Sequence, residues 1–448
     1  MKNIFLLLSI LTATTFTGYA QQPQPDGQMY NFTLADCINY AYLHQDSVLN
    51  AGLDVKSAEY RIKETTGRGL PQINGTATFQ DYLKIATSLL PGEFFGAPGT
   101  FIPVKFGVKY QSNVGVGLTQ LLFDGDYIVG LKSRAAYKGL FDLNYSRTKI
   151  QANINVTKVY YQVLVNSEQI KLLDANIEQL KQLVDQTTAQ NKQGFVEKID
   201  VDRLTVQYND LVTTRENTLR LLGLNYQLLK FQMGMPIENN LILKDKLQDV
   251  KLEQIVDAAP DSTFYRNHIE YSLFKTQNQL NEFDLKSRKA AGLPKLTFNA
   301  NYANSYQNNS FGNLYSTAYP VSYIGLTLNV PIFSGLQRTN QVRQAEIVLK
   351  KDENNLFQLK NALSLQASRA KITYINGLAS LNNQKANQAL AQEVLRVTRI
   401  KYQQGVGSSI EVTQAQTAVQ DADNKYIQGL YQALVSKVDL DQAYGLIK

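Results

Sequence analysis

Between Tyr323 and Ile332 apolar and polar side chains alternate. Ile324, Leu326, Leu328, Val330 and Ile332 fall on one face, and Tyr323, Gly325, Thr327 and Asn329 fall on the other. A period of two predicts a strand with one greasy and one wet face. After Phe333-Ser334-Gly335 the period becomes helical, and no proline follows. Ser334 and Gln337 have the spacing of a capping box, which predicts the helix start there. A helix from this point to about Gln404 has roughly 68 residues and a length on the order of 100 Å. No globular domain of this size buries such a rod, so it belongs to a long helical wall fed directly by a strand.

The same succession occurs earlier in the chain. Phe32 to about Thr66 reads as a helix in two pieces, broken near Asp46-Ser47 and ended by Gly67, Gly69 and Pro71. Two alternating segments follow. One sets Gln72, Asn74, Thr76, Thr78 and Gln80 against Ile73, Gly75, Ala77 and Phe79, and the other runs from Phe106 to Leu118. Leu83 to Val104 between them predicts a loop too long for a tight hairpin turn. A second long helical pattern starts at Phe123-Asp124-Gly125, lasts to about Gln190 and reverses at Asn191-Lys192-Gln193-Gly194. It returns over Lys198 to about Met233, closed by Gly234 and Pro236. Ile237 to Asp249 reads as a connector. Leu252 to Lys289 is then helical, Leu296 to Tyr302 alternates, and Asn304 to Pro320 is a polar loop.

The second half therefore repeats the first. Gly335 follows Gly125 by 210 residues and Gly405 follows Gly194 by 211. Ile199-Asp200-Val201 matches Ile410-Glu411-Val412, and Met233-Gly234-Met235 matches Tyr444-Gly445-Leu446. A steady offset across four landmarks marks a duplication. The expected division is 1–20 as a targeting segment, 21–235 as the first repeat, 236–250 as the connector and 251–448 as the second repeat. In the last helix Val412, Val419, Tyr426, Ala433, Leu440 and Ile447 recur every seventh residue, beside the small-residue row Ala415, Ala422, Gly429, Ser436 and Ala443. A second stripe, Ile427, Leu430, Leu434 and Val438, faces elsewhere. Two stripes predict a coiled-coil helix with a neighbour on each side; one wide stripe in an ordinary bundle is the alternative.

Each of the four strands pairs a face of Gln, Asn, Thr, Gly or Lys with an apolar one, and each has a length suited to a tilted bilayer-crossing strand. A membrane sheet must close, because an open edge leaves backbone groups unpaired in hydrocarbon. Membrane barrels begin at about eight strands, so four cannot close alone. Two chains would give eight strands and a filled interior; three would give twelve and room for water.

Composition narrows the classes further. Lys2, the apolar run Ile4 to Leu11 and Gly18-Tyr19-Ala20 before Gln21 read as a secretory signal. A lipid-anchored form would need cysteine at the new N-terminus, where Gln21 stands. Cys37 is the only cysteine, so no intramolecular disulfide forms. The formal charge of +7 includes Lys2 and is interspersed along helices, which reads as solvated faces and not as a nucleic-acid footprint. Past Ala20 no apolar run is long enough to cross a bilayer as a helix. His44 and His268, the only histidines, lie in different halves without metal-ligand spacing. No phosphate-binding glycine loop or serine-nucleophile motif occurs. Enzyme chemistry and cofactors are not expected.

These features resemble the TolC family of outer-membrane efflux proteins over nearly the whole mature chain. The residues carrying the resemblance are Phe32-Thr33-Leu34 with Ala35 and Ala41, Leu70-Pro71, and Pro331-Ile332-Phe333-Ser334-Gly335. Arg399-x-x-Tyr402-x-x-Gly405 with Ile410-Glu411-Val412, then Leu440 and Tyr444-Gly445, complete it. The resemblance implies a mainly α fold with membrane β: a homotrimer whose twelve-stranded barrel in the outer membrane continues as a helical periplasmic tunnel. It also implies docking to a periplasmic adaptor and an inner-membrane pump of RND or ABC type, for multidrug efflux or type I secretion. Family members narrow the tunnel with acidic side chains near the two helix reversals, and the matching positions are Asp200 and Glu411. Gln414 stands where a second acid is common, and Gly407 where some members carry a cation. Gly194, Arg399, Tyr402 and Gly405 are the candidate adaptor-docking reversals. Plainer roles stand beside these: Ser408-x-x-Glu411 is itself a capping box, Asp200 favours a helix dipole, and Arg399 and Tyr402 suit an interhelical contact. A soluble periplasmic coiled-coil adaptor is the alternative reading of the whole chain.

Overall fold

The computed structural model describes residues 29–96, 98–247, 250, 252 and 263–447. The expected targeting segment lies outside them. The chain enters through β1 (Met29–Phe32), α1 (Leu34–His44) and α2 (Asp46–Gly67). Thr33 starts α1 with a capping box: the Asp36 carboxylate accepts the Thr33 N–H at 2.9 Å, and the Asp36 N–H donates to the Thr33 hydroxyl at 3.3 Å. Gln45 separates the two helices, at the break the sequence predicts.

Next come β2 (Gln72–Asp81), the small hairpin β3 (Thr87–Pro91) with β4 (Phe101–Lys105), and β5 (Tyr110–Phe123). From β5 the chain passes straight into α3 (Gly125–Lys192), whose 68 residues span about 100 Å. Asp124 caps it by accepting the N–H groups of Asp126 and Tyr127 at 3.0 and 3.2 Å. After the reversal, α4 (Lys198–Met233) returns along its lower half.

β6 (Asn240–Leu243) then pairs in parallel with β1. The second series is α5 (Ile269–Ala290), β7 (Lys295–Asn308), β8 (Tyr319–Asn329), α6 (Gln337–Gln403) and α7 (Ser409–Ala443). The main sheet is antiparallel in the order β2-β5-β7-β8, so the two strand pairs join through β5 and β7.

Burial is strung along the rod in separate clusters. Cys37, Ala41, Val156, Tyr160, Leu229 and Met233 form the first, where α1 and the end of α4 clasp α3. Leu180, Leu204, Leu211, Val412 and Val419 fill the lower end between both hairpins. Each fully buried Leu there contributes about 1.5–3 kcal/mol. Asp245, just past β6, fastens the connector to the rod by accepting the Leu34 N–H at 2.9 Å and the Tyr160 hydroxyl at 2.8 Å. Most of both predicted stripes of α7 is buried: Val412, Val419, Ala433 and Leu440 with Ala415, Ala422, Ser436 and Ala443, and Ile427, Leu430, Leu434 and Val438; Tyr426 and Gly429 are half-buried, and Ile447 lies beyond the helix. The helix thus has neighbours on more than one side. Gly377 of α6 approaches this small-residue row so closely that an added Cβ would stand 3.2 Å from the Ser436 hydroxyl.

Four expectations need correction. Ser334 makes no capping box with Gln337: Gly335 and Leu336 take φ of +59° and +64°, so Ser334 offers only its carbonyl to the Gln337 N–H, at 3.1 Å. The expected loop Leu83 to Val104 holds most of the β3–β4 hairpin, whose apolar residues fall on both faces (Leu89 and Phe101 on one, Leu90, Ile102 and Val104 on the other) and so show no alternation. β7 continues into the supposed polar loop as far as Asn308, because Tyr306, Gln307 and Asn308 pair with Ser112, Gln111 and Tyr110 of β5, and β8 already begins at Tyr319, opposite Ser305. α5 begins at Ile269, capped by His268 after a tight turn over Phe264–Asn267, not near Leu252; residues 253–262 lie outside the described ones.

Candidate functional site

Two regions hold the residues that the sequence singles out: the sheet, and the helix reversals at the far end of the rod. In the sheet, cross-strand pairing puts paired residues on one face. One row reads Ile73, Leu118, Ala300, Ile324, and the next on that face reads Gly75, Val116, Tyr302, Ser322. The opposite face carries Gln72, Thr119, Asn299 and Gly325, then Asn74, Gly117, Asn301 and Tyr323. The pattern read within each strand is therefore continuous across all four. These two polar rows contain amides, hydroxyls and glycine, and at the helix end of the same face Lys295 stands opposite Asn329 and pairs with Asp124 at 3.2 Å.

At the end away from the helices the apolar face closes in an aromatic cluster. Phe79, Tyr110 and Phe311 lie with ring centroids 5.7 to 6.2 Å apart, and Tyr306 and Tyr315 at 5.1 Å. Aromatic residues at the edge of an apolar band suit a membrane–water interface. Both outer strands, β2 and β8, are exposed at every residue. Each leaves one row of backbone N–H and C=O groups without a strand partner among the described residues.

At the other end, Gly194 and Gly405 turn the chain with φ of +82° and +75°, a conformation open mainly to glycine. Phe195 and Val406, each 77% exposed, stand at the two tips. The Asp200 carboxylate accepts the Ser409 hydroxyl across the two hairpins, with Arg203 Nη1 at 3.7 Å from the carboxylate and 3.4 Å from Ser409 Oγ. Glu411 lies exposed in the first turn of α7, its N–H donating to the Ser408 hydroxyl at 3.3 Å, and Gln414 is exposed one turn on. The reversals thus bring Asp200 to α7 but leave Glu411 and Gln414 facing outward in the single chain.

Arg399 is held within the chain. Nη1 donates to Gln179 Oε1 at 2.8 Å and Nη2 to Gln416 Oε1 at 2.7 Å, linking α6 to α3 and α7. Burial without a carboxylate partner among these contacts lowers its pKa from the ordinary guanidinium range. Tyr402 turns its hydroxyl inward toward Thr187, and burial raises its pKa. Arg399 thus bridges three helices, and Tyr402 packs against the lower core cluster. Ser409 and Arg203 are the site residues that sequence reasoning missed. Arg203 is readable as an i,i+3 partner of Asp200, whereas Ser409 is 209 residues away and has no local signal.

The chain matches the family model described as outer membrane efflux protein over residues 38–223 and 280–446. It is 22% identical to the outer membrane protein TolC of Salmonella enteritidis over 463 residues, covering 98% of this chain and 86% of that protein. It is likewise 22% identical to the proteases secretion protein PrtF of Dickeya chrysanthemi over 182 residues, 41% of this chain and 37% of that one. Among solved structures, the CusC channel aligns with a TM-score of 0.74 at 14% identity over 95% of each chain, which shows a shared fold. With a sheet that is wet on one face and greasy on the other feeding two long helical hairpins, the chain belongs to the outer membrane efflux protein family.

Proposed function

We propose that three copies close their sheets into one twelve-stranded barrel, and that the helices beneath continue it as a tunnel across the periplasm. The protein is an outer-membrane exit duct; the trimer makes the duct continuous. The observation carrying this is the pair of unpartnered edges, β2 and β8, on a sheet whose two faces suit lipid and water. An open edge in hydrocarbon costs several kcal/mol per unsatisfied group. A soluble coiled-coil adaptor has no use for such an apolar face.

Conduction is passive, with the energy supplied by an inner-membrane pump of RND or ABC type through a periplasmic adaptor. The reversals at Gly194 and Gly405, with Phe195 and Val406 exposed beside them, are the adaptor-docking tips. Asp200 and Glu411, with Gln414 one turn on, form the gate at that end. Residues 21–235 and 251–448 act as two repeats joined by 236–250. Native mass spectrometry of the detergent-purified protein should give a trimer, and planar bilayers should show single-channel currents. A monomer without conductance would overturn the duct. Asp200→Ala and Glu411→Ala should raise conductance, and currents equal to the parent in both would remove the gate.

A further inference from the structure

Just below the strands, a cavity of about 350 Å³ lies between α2 and α3. Its α3 wall begins at Gly130, roughly 8 Å below the start of the helix. Arg61 of α2 and Arg134 of α3 are its charged lining, and Ile62, Leu131 and Tyr137 its apolar floor. Such a mixture of apolar wall and few converging polar groups is how small-molecule sites are built.

The polar groups left over decide the ligand's charge. The hydroxyls of Thr65, Thr66 and Ser133 also reach the cavity, but each donates to a backbone carbonyl of its own helix, at 2.8 to 2.9 Å. Their hydrogens are committed. Arg61 gives Nη1 to Glu64 at 2.7 and 2.8 Å, which leaves Nε and Nη2. Arg134 makes no ion pair among the described residues. The donors free to meet a guest are therefore the neutral Tyr137 hydroxyl and the two guanidinium groups, and the charged pair favours carboxylate, sulfate or phosphate. Gly130 opens the wall, since a Cβ there would have nothing within 4 Å.

We propose that this cavity binds an anionic amphiphile: an acidic head on Arg134 and Arg61, with a compact apolar body against Ile62, Leu131 and Tyr137. The proposal rests on the exit-duct reading and names a class of compound for it. Two sources share this chemistry, a solute in transit through the duct and a phospholipid of the leaflet at that level.

The test uses the full-length channel in phosphatidylcholine nanodiscs, with empty nanodiscs as the blank. The probes are the anionic dye anilinonaphthalenesulfonate and its neutral counterpart phenylnaphthylamine. Arg134→Gln should weaken the anionic probe about tenfold and leave the neutral one unchanged. Gly130→Leu should plug the cavity and abolish binding of both, while the longer side chain raises helix propensity and so keeps Tm at or above the parent's. Equal binding of the anionic probe to parent, Arg134→Gln and Gly130→Leu would overturn the proposal. Single-channel conductance of the same variants reads the duct independently: conducting variants with unaltered dye binding sink the site and spare the duct. Probe-induced current block in the parent, lost in Arg134→Gln, assigns the site to solutes. An anionic phospholipid that copurifies with the parent and is lost from Arg134→Gln assigns it to lipid.

Discussion

The hydroxyl of Ser409 donates to the carboxylate of Asp200, so the first turn of α7 is tied to the first turn of α4 across the duplicated halves. Ser409 is 3% exposed, and Arg203 stands over both groups. The two hairpins therefore meet at their tips through a charge-assisted hydrogen bond. Such a bond contributes about 1.5–3 kcal/mol when buried, and less where water reaches the carboxylate, as it does here.

Ser409→Ala should release this tie without touching the backbone. The expected result is a loss of about 1 kcal/mol in stability and more frequent opening in planar bilayers. Ser409→Thr keeps the hydroxyl and should retain most of the parent's behaviour. If alanine and threonine variants conduct alike, the bond does not hold the tips together.

Cys37 gives a second test, of the first core cluster. It is fully buried against α3, and burial, with Asp36 and Asp245 nearby, pushes its thiol up to about 12. The thiolate is the reactive form, so iodoacetamide at pH 8 should leave the native protein unlabelled. In denaturant the chain's single thiol should react fully. Rapid labelling of the native protein would mean that α1 detaches from the rod.

The glycines closing α4 and α7 allow a comparison between the halves. Gly234 and Gly445 take φ of +69° and +66°, and each lies against the backbone preceding the helix of its own half. A Cβ at Gly234 would overlap the His44 carbonyl, whereas one at Gly445 would stand 3.0 Å from the Asn267 carbonyl. Alanine should cost about 1 kcal/mol at either position for the left-handed backbone. At Gly234 the overlap with backbone should add at least about as much again. Equal shifts in Tm for Gly234→Ala and Gly445→Ala would contradict this geometry.

What the sequence made legible follows from range. α4 runs over Lys198–Met233, as its period predicts, because periodicity and the closing Gly234 are local signals. The sheet faces were equally legible, since Ile73 and Asn74 differ in polarity whatever their partners. The joining of both strand pairs through β5 and β7, such as Leu118 with Ala300, was not legible. No local pattern fixes a pairing 182 residues apart in number. β1 and β6 escaped for the same reason, being four residues each with no room for a period. At the reversals, the turn glycines and first-turn acids could be read. The partner of Asp200 could not, because Ser409 looks like any residue beside a helix cap.

His268 makes the structure sensitive to pH, and its sign can be worked out. It is 6% exposed and caps α5, with Nδ1 accepting the Glu270 N–H at 3.3 Å. That role requires the neutral ring. Burial lowers its pKa from 6.5, while nearby Glu270 opposes the shift; Glu270 itself pairs with Arg147 at 3.7 Å. The unfolded chain, titrating at the ordinary value, then binds more protons than the folded one below about pH 7. Stability is full above the unfolded pKa and falls as pH drops through it, reaching its floor below the folded pKa. The part at stake is on the scale of a helix cap, about 0.5–2 kcal/mol. His268→Asn keeps a capping acceptor and removes the titration, so its Tm should match the parent's near pH 8 and exceed it near pH 5. A parent and variant whose melting temperatures run parallel from pH 8 to pH 5 would show that His268 takes up its proton in place, and that the cap is not made by its ring nitrogen.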